Sequence, residues 1–215
     1  MSALGRGFAA LFLIIPLLAC AEPAPEQYQA GTHYEMINPP QPTESSATVE
    51  VTEVFWYGCS HCFHLDPAVE SWLKRKPANV TFSRLPAALN PSWGLLARAY
   101  YAAEDLGVTD KIHVPMFNAI HEKHTPMNTD KDVITFFMDH GVKEDDIRNA
   151  MSSFSVETKV RRANQLGERY GLTGVPAIIV NGKYRTTVGM AGSNDGLMKA
   201  VDFLIKKEST AAHGK

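Results

Sequence analysis

The chain has 215 residues, 45% hydrophobic and 20% charged, with 21 Lys and Arg against 23 Asp and Glu. That composition belongs to a folded domain and excludes a disordered, collagen-like or multi-span membrane chain. A formal charge of −2 without a long basic run leaves no electrostatic footprint for nucleic acid, and three cysteines cannot scaffold a chain this long.

Residues 8–18 are an apolar run behind Arg6, at 11 residues too short to span a bilayer and of the length of a secretory leader. Leu17-Leu18-Ala19-Cys20 resembles a bacterial lipobox, which makes residues 1–19 a signal peptide and Cys20 a lipidated N-terminus. Cleavage after Ala21 is the alternative, since Ala19-Cys20-Ala21 also satisfies the small-x-small rule. Residues 20–46 carry five prolines among polar residues and read as a tether, with one possible edge strand at Thr32 to Ile37.

Residues 47–57 are β-branched and aromatic and predict a strand entering the middle of a sheet. Gly58 closes it, and a helix carrying Phe63, Val69, Trp72 and Leu73 follows, kinked at Pro67 and stopped by Lys76-Pro77. Val80 to Leu85 predicts a second strand, so strand, helix and strand form a parallel βαβ unit within residues 47–90. Residues 91–155 show only helical periodicity and predict an insertion of about four helices. Within 156–208 a helix ends near Gly171, Asn181-Gly182 signals a type I′ turn between Ala177–Val180 and Tyr184–Val188, and Gly196 to Lys207 closes the fold, leaving 209–215 as a loose tail.

Cys59-Ser60-His61-Cys62 puts two thiols at the junction of strand and helix, where the sulfurs can close a small disulfide ring. At a helix N-terminus the first thiol meets free N–H groups and the positive end of the helix dipole, so Cys59 is the predicted nucleophile with a pKa well below the usual value. His61 and Ser60 can add a positive charge and a hydroxyl donor to the same sulfur. Were the pKa to fall to about 4.5, the stabilised thiolate would be worth about 3.4 kcal/mol at pH 7, or about 70 mV toward an oxidising couple. Zinc would require four spaced ligands and no second Cys pair exists; haem attachment would require His where Phe63 stands. No metal is predicted. His64 reads as a solvated or capping side chain, and His113, His121 and His124 as a polar helix face.

Phe55-Trp-Tyr-Gly-Cys-Ser-His-Cys62, Leu172-Thr-Gly-Val-Pro-Ala-Ile-Ile-Val-Asn-Gly-Lys-Tyr184 and the helical stretch between them resemble the DsbA family of thiol oxidases over roughly residues 30–208. The resemblance implies an α/β, thioredoxin-like fold with an inserted all-helical domain, and it makes Val175-Pro176 a cis-proline site facing the disulfide. It also places a buried acid at Glu53, to exchange a proton with Cys62; the residue pattern by itself leaves open a strand-end carboxylate in water. Trp56, Val175 and Pro176 would line a shallow apolar substrate groove. Ser60 stands where many members of the family have proline, a change that could move the redox potential either way.

The predicted protein is a monomeric, periplasmic dithiol oxidase, lipid-anchored to a membrane, expected to be the outer one. It would pass the Cys59–Cys62 disulfide to reduced exported proteins and be restored by a DsbB-like, quinone-linked membrane partner, with no soluble cofactor. A reductase or isomerase of the same compartment, and a non-catalytic substrate-binding lipoprotein, are the alternatives.

Overall fold

The computed structural model describes residues 27–213, and residues 211–213 by their backbone alone; the leader and Cys20 lie outside the described residues. Five strands form one sheet in the order β1-β5-β4-β2-β3. Strand β2 (Val49–Phe55) lies parallel to β3 (Val80–Pro86), with Glu53 opposite Arg84, and antiparallel to β4 (Ala177–Val180). Beyond β4 come β5 (Tyr184–Thr186) and the edge pair of β1 (Glu35–Met36). The expected strand at 32–37 is thus a two-residue edge strand.

Helix α1 (Ser60–Leu73) makes the crossover from β2 to β3 and ends one residue before Lys74, short of the Lys76-Pro77 stop read from the sequence. A 3₁₀ turn at Pro91–Trp93 leads into α2 (Gly94–Asp105), α3 (Thr109–His121), α4 (Asp130–Asp139) and α5 (Glu144–Met151). Local chemistry sets these starts: Thr129 and Asp132 form a capping box on α4. Helix α6 (Phe154–Arg169), capped by Ser153, returns the chain to β4. The β4–β5 turn has Asn181 at φ 52° and Gly182 at φ 63°, the type I′ geometry that Asn-Gly favours. Strand β5 stops at Thr186, and Thr187 caps a short α7 (Val188–Ala191) that begins at Val188, where the second hairpin strand was expected to end.

Helix α8 (Asn194–His213) runs past Lys207 through the segment expected to be loose. Its extension is held by side chains: Glu208 accepts from Asn181 Nδ2, Lys183 Nζ and Tyr184 Oη, and Asn79 Nδ2 reaches Ser209 Oγ at 3.2 Å.

The sheet separates two apolar cores. On one face Leu65, Val69 and Trp72 of α1 and Leu197, Val201 and Leu204 of α8 pack on Val49, Val51, Ile178 and Val180. Trp72 Nε1 donates to Asp202 Oδ1 at 2.7 Å across that helix pair. The second core joins Val54, Phe55, Tyr57 and Cys62 to Tyr100, Ile112, Phe117, Val133, Phe137 and Ile147 of the helical insertion. Cys62 therefore sits on the boundary between thioredoxin-like and helical parts, buried by both. No helix among the described residues is long and apolar enough to cross a membrane.

Candidate active site

Strand β2 ends at Phe55, and Trp56 to Gly58 turn the chain so that Cys59 becomes the N-cap of α1, at φ −91° and ψ 115°. No side chain caps this helix and no acidic residue stands in its first turn, so its N–H groups are left to the sulfur. Cys59 is partly exposed, whereas Cys62, one turn further on, is fully buried; both are free thiols. An incoming thiolate can reach only the Cys59 sulfur.

The Cys59 thiol is lowered to about 6, first by the hydrogen bond from the Cys62 thiol, against the opposing effect of burial. Backbone N–H groups of Cys62 and His61 and the charge of His61 add to the lowering. The direction is the one read from the sequence, but the leading cause is the partner thiol. Burial pushes the Cys62 thiol far up, and its hydrogen bond to Cys59 works the same way. The pair thus holds one anion at the surface and one proton beneath it. Ser60 occupies the first helical position, exposed.

Val175-Pro176 is a cis peptide, as the resemblance implied, and the Val175 carbonyl lies 3.5 Å from Cys59 Sγ. Beside it a cavity of about 490 Å³ is lined by His61, His64, Val175, Pro176, Thr187 and Asn194 among others. His64 therefore borders the groove, its backbone carbonyl accepting from Asn194 Nδ2 at 2.8 Å. Trp56 does not share this groove. Its ring stacks on Trp93 with centroids 4.4 Å apart and planes 5° apart, and together with Gly58, Leu95 and Met127 it lines a separate cavity of about 650 Å³. The turn at Trp56–Gly58 directs the indole toward the helical insertion, whereas the Val175 carbonyl lies at the Cys59 sulfur.

Glu53 is fully buried, which removes the solvent-exposed alternative. Its Oε2 accepts from Arg84 Nε at 2.9 Å, while Oε1 has no partner. Desolvation raises its pKa to about 7, and Arg84 limits the rise. Arg84 also reaches Glu70 at 2.7 Å and Asp66 at 3.5 Å. Asp66 in turn meets His113 Nε2 at 3.1 Å, and His113 Nδ1 lies 3.0 Å from Tyr57 Oη. Asp66, Glu70, Arg84 and Tyr57 were missed in the sequence, although Cys62, Asp66 and Glu70 recur every four residues on one face of α1.

His113 is buried rather than part of a polar helix face, because α3 turns it into the junction with α1. His121 also faces inward, its Nε2 2.8 Å from the Tyr57 carbonyl and its ring stacked on Phe63; His124 is exposed at φ 52°. Among the described residues no three His, Cys, Asp or Glu side chains converge as metal ligands would.

A family model described as a DSBA-like thioredoxin domain matches residues 50–201. The chain belongs to this family. It is 35% identical over 187 residues to the thiol:disulfide interchange protein DsbA of Pseudomonas aeruginosa, covering 87% of this chain and 89% of that one. The DsbA of Azotobacter vinelandii is 32% identical over 188 residues, covering 87% and 88%. The crystal structure of P. aeruginosa DsbA superposes with a TM-score of 0.83 at 35% identity, over 86% of this chain and 97% of that one. The chain is accordingly a thioredoxin-fold protein disulfide oxidoreductase.

Proposed function

We propose that this oxidoreductase works in the periplasm as a disulfide donor to reduced, exported proteins. The observation that carries the reading is the asymmetry of the pair: Cys59 is partly exposed with a thiol lowered to about 6, while Cys62 is buried and raised. A low pKa stabilises the reduced product and makes Cys59 the better leaving group, which favours giving the disulfide away.

In the forward reaction a substrate thiolate attacks Cys59 of the disulfide, the Cys59–Cys62 bond breaks, and its electron pair goes to Cys62. Cys62 takes up a proton, for which Glu53 is the buried donor; a second substrate thiolate then attacks the mixed disulfide and Cys59 leaves as an anion. The substrate loses two electrons and the protein gains them. Val175 and Pro176 supply an extended backbone edge for the substrate segment, and the groove lined by His61, His64, Val175 and Pro176 receives its neighbouring side chains. His61 and Ser60 tune the pair from within the loop. No soluble cofactor enters this cycle, and reoxidation falls to a DsbB-like membrane partner. Lipidation at Cys20 would hold the monomeric domain near a membrane, the outer one being favoured because Ala21 follows Cys20.

The test follows refolding of a reduced secreted protein by stoichiometric oxidised wild type, and traps the adduct on Cys62→Ala and on Cys59→Ala, each carrying its remaining thiol as a mixed disulfide with thionitrobenzoate, which leaves as the substrate thiolate attacks. A substrate adduct on Cys59 and loss of all activity in Cys59→Ala are expected. An adduct on Cys62, or refolding that survives Cys59→Ala, would remove the proposal. Mass spectrometry of the mature N-terminus checks the anchor: an unmodified Glu22 start excludes it.

A further inference from the structure

The cycle just described makes no use of His113, yet its surroundings are unusually specific. The residue is 3% exposed, with Phe55, Tyr57 and Phe117 rings 5.2, 5.4 and 5.2 Å from its own. Both ring nitrogens are engaged: Nε2 with Asp66 Oδ1 at 3.1 Å and Nδ1 with Tyr57 Oη at 3.0 Å. An ionised carboxylate can only accept, so Nε2 carries the hydrogen, and the Tyr57 phenol then donates to bare Nδ1. Burial, aided by Arg84, holds the imidazole below its usual pKa, in keeping with this neutral form.

Asp66 has a second neighbour. Arg84 Nη2 lies 3.5 Å from its Oδ1, longer than an ordinary charge-assisted hydrogen bond, while the same guanidinium meets Glu70 at 2.7 Å and Glu53 at 2.9 Å. One cation faces three carboxylates. How firmly it serves Glu53 depends on what else satisfies Asp66.

We propose that His113 is a positioning residue for proton transfer at the cysteine pair: its Nε2–H holds Asp66 back from Arg84, so that the guanidinium stays committed to Glu53. The inference rests on the reading of Glu53 as proton partner of Cys62. The groups facing Glu53 are Arg84 from β3, Cys62, Asp66 and Glu70 from α1, Tyr57 after β2 and Tyr100 from α2. Those facing His113 are Tyr57, Asp66, Glu70, Arg84 and, from α2, Tyr100, its ring centroid 6.3 Å away. Without the imidazole donor Asp66 closes on Arg84, the Glu53 carboxylate loses compensation, and it keeps its proton to higher pH.

Ring closure isolates the step. Reduced protein mixed with dithionitrobenzoate releases one thionitrobenzoate as Cys59 forms the mixed disulfide. It releases a second when Cys62 gives its proton to Glu53 and attacks Cys59: the Cys59–Cys62 bond forms, the bond to thionitrobenzoate breaks, and the electron pair leaves with that anion. The rate of the second phase should rise with pH through the Glu53 midpoint. In His113→Phe the midpoint should move up by about one unit, about tenfold slower on the acid limb, with the first phase unaltered. His113→Gln, whose amide can restore the donor to Asp66, should bring it back, and Tyr57→Phe should not move it.

If Glu53→Gln leaves the second phase with its wild-type profile, the Glu53 reading itself fails. If Glu53→Gln alters it while His113→Phe keeps the wild-type midpoint, this inference alone is overturned. Should His113→Phe fail to fold, the wild-type ring decides: nitrogen shifts of a neutral Nε2–H tautomer between pH 6 and 8 support the proposal, and an Nδ1–H tautomer or a protonated ring overturns it.

Discussion

Cys62→Ala should cost Cys59 about half of its added acidity. In the structure the largest influence lowering the Cys59 thiol to about 6 is the hydrogen bond from the Cys62 thiol, ahead of the N–H groups at the start of α1 and the charge of His61. Removing that donor should raise the midpoint to roughly 7.5, so that the thiolate fraction at pH 7 falls from about nine-tenths to about a quarter. Cys62→Ser retains a donor and should stay within about half a unit of 6. Thiolate absorbance against pH, with alkylation rate as a second readout, measures both. An alanine variant that still titrates at about 6 would refute the reasoning and return the helix terminus and His61 to first place.

The same value sets the energetic scale. The folded pKa is depressed, so thiolate stabilisation is present above the usual pKa, grows between about 6 and 9, and is lost as pH falls through about 6. At pH 7 about one unit counts, some 1.4 kcal/mol, and solvent screening at a half-exposed sulfur reduces this to about 1 kcal/mol, or about 20 mV. That is well under the 70 mV that a pKa of 4.5 would give.

Glu53 behaves with the opposite sign. Its raised pKa means that ionisation penalises the fold as pH rises from 4.5 through about 7, so Glu53→Gln should add stability, roughly 3 kcal/mol at pH 8 and under about 1 kcal/mol at pH 5. Urea unfolding at the two pH values checks this, and an equal gain at both would contradict it. Gly58→Ala would put a Cβ 2.4 Å from the Trp56 six-membered ring. The indole must leave its stack on Trp93, which near-ultraviolet circular dichroism should register; an unchanged spectrum counts against the packing described. Gly182→Ala combines φ +63° with a Cβ 2.2 Å from the Gln41 carbonyl oxygen and should cost roughly 2–4 kcal/mol in urea unfolding without changing the Cys59 titration.

Much of the fold was legible because its signals are local. Alternation in Val49–Phe55, the Asn181-Gly182 turn and the stripes of the insertion each depend on neighbouring residues, and the matching elements are present. Helix α8 was read too short because what sustains it past Lys207 is Glu208 bonding to the hairpin, a contact between distant segments. The cysteine pair was legible for the same local reason. The charge network was not, since Arg84 meets Glu53 through strand register and His113 meets Asp66 through the docking of α3 on α1. Trp56, read as lining one groove with Val175 and Pro176, instead stacks on Trp93 and lines another cavity, because a three-residue turn, not the alternation of β2, sets its direction.

The central claim is that Cys59 rests as a thiolate once the disulfide has been given away, and the pH dependence of the glutathione equilibrium reads it directly. Below the Cys59 midpoint reduction takes up two protons per two electrons, and above it one. The potential should therefore fall by about 59 mV per pH unit below pH 6 and by about 30 mV per unit above it. A single steep slope from pH 5 to pH 8, with the bend near 9, would contradict the account.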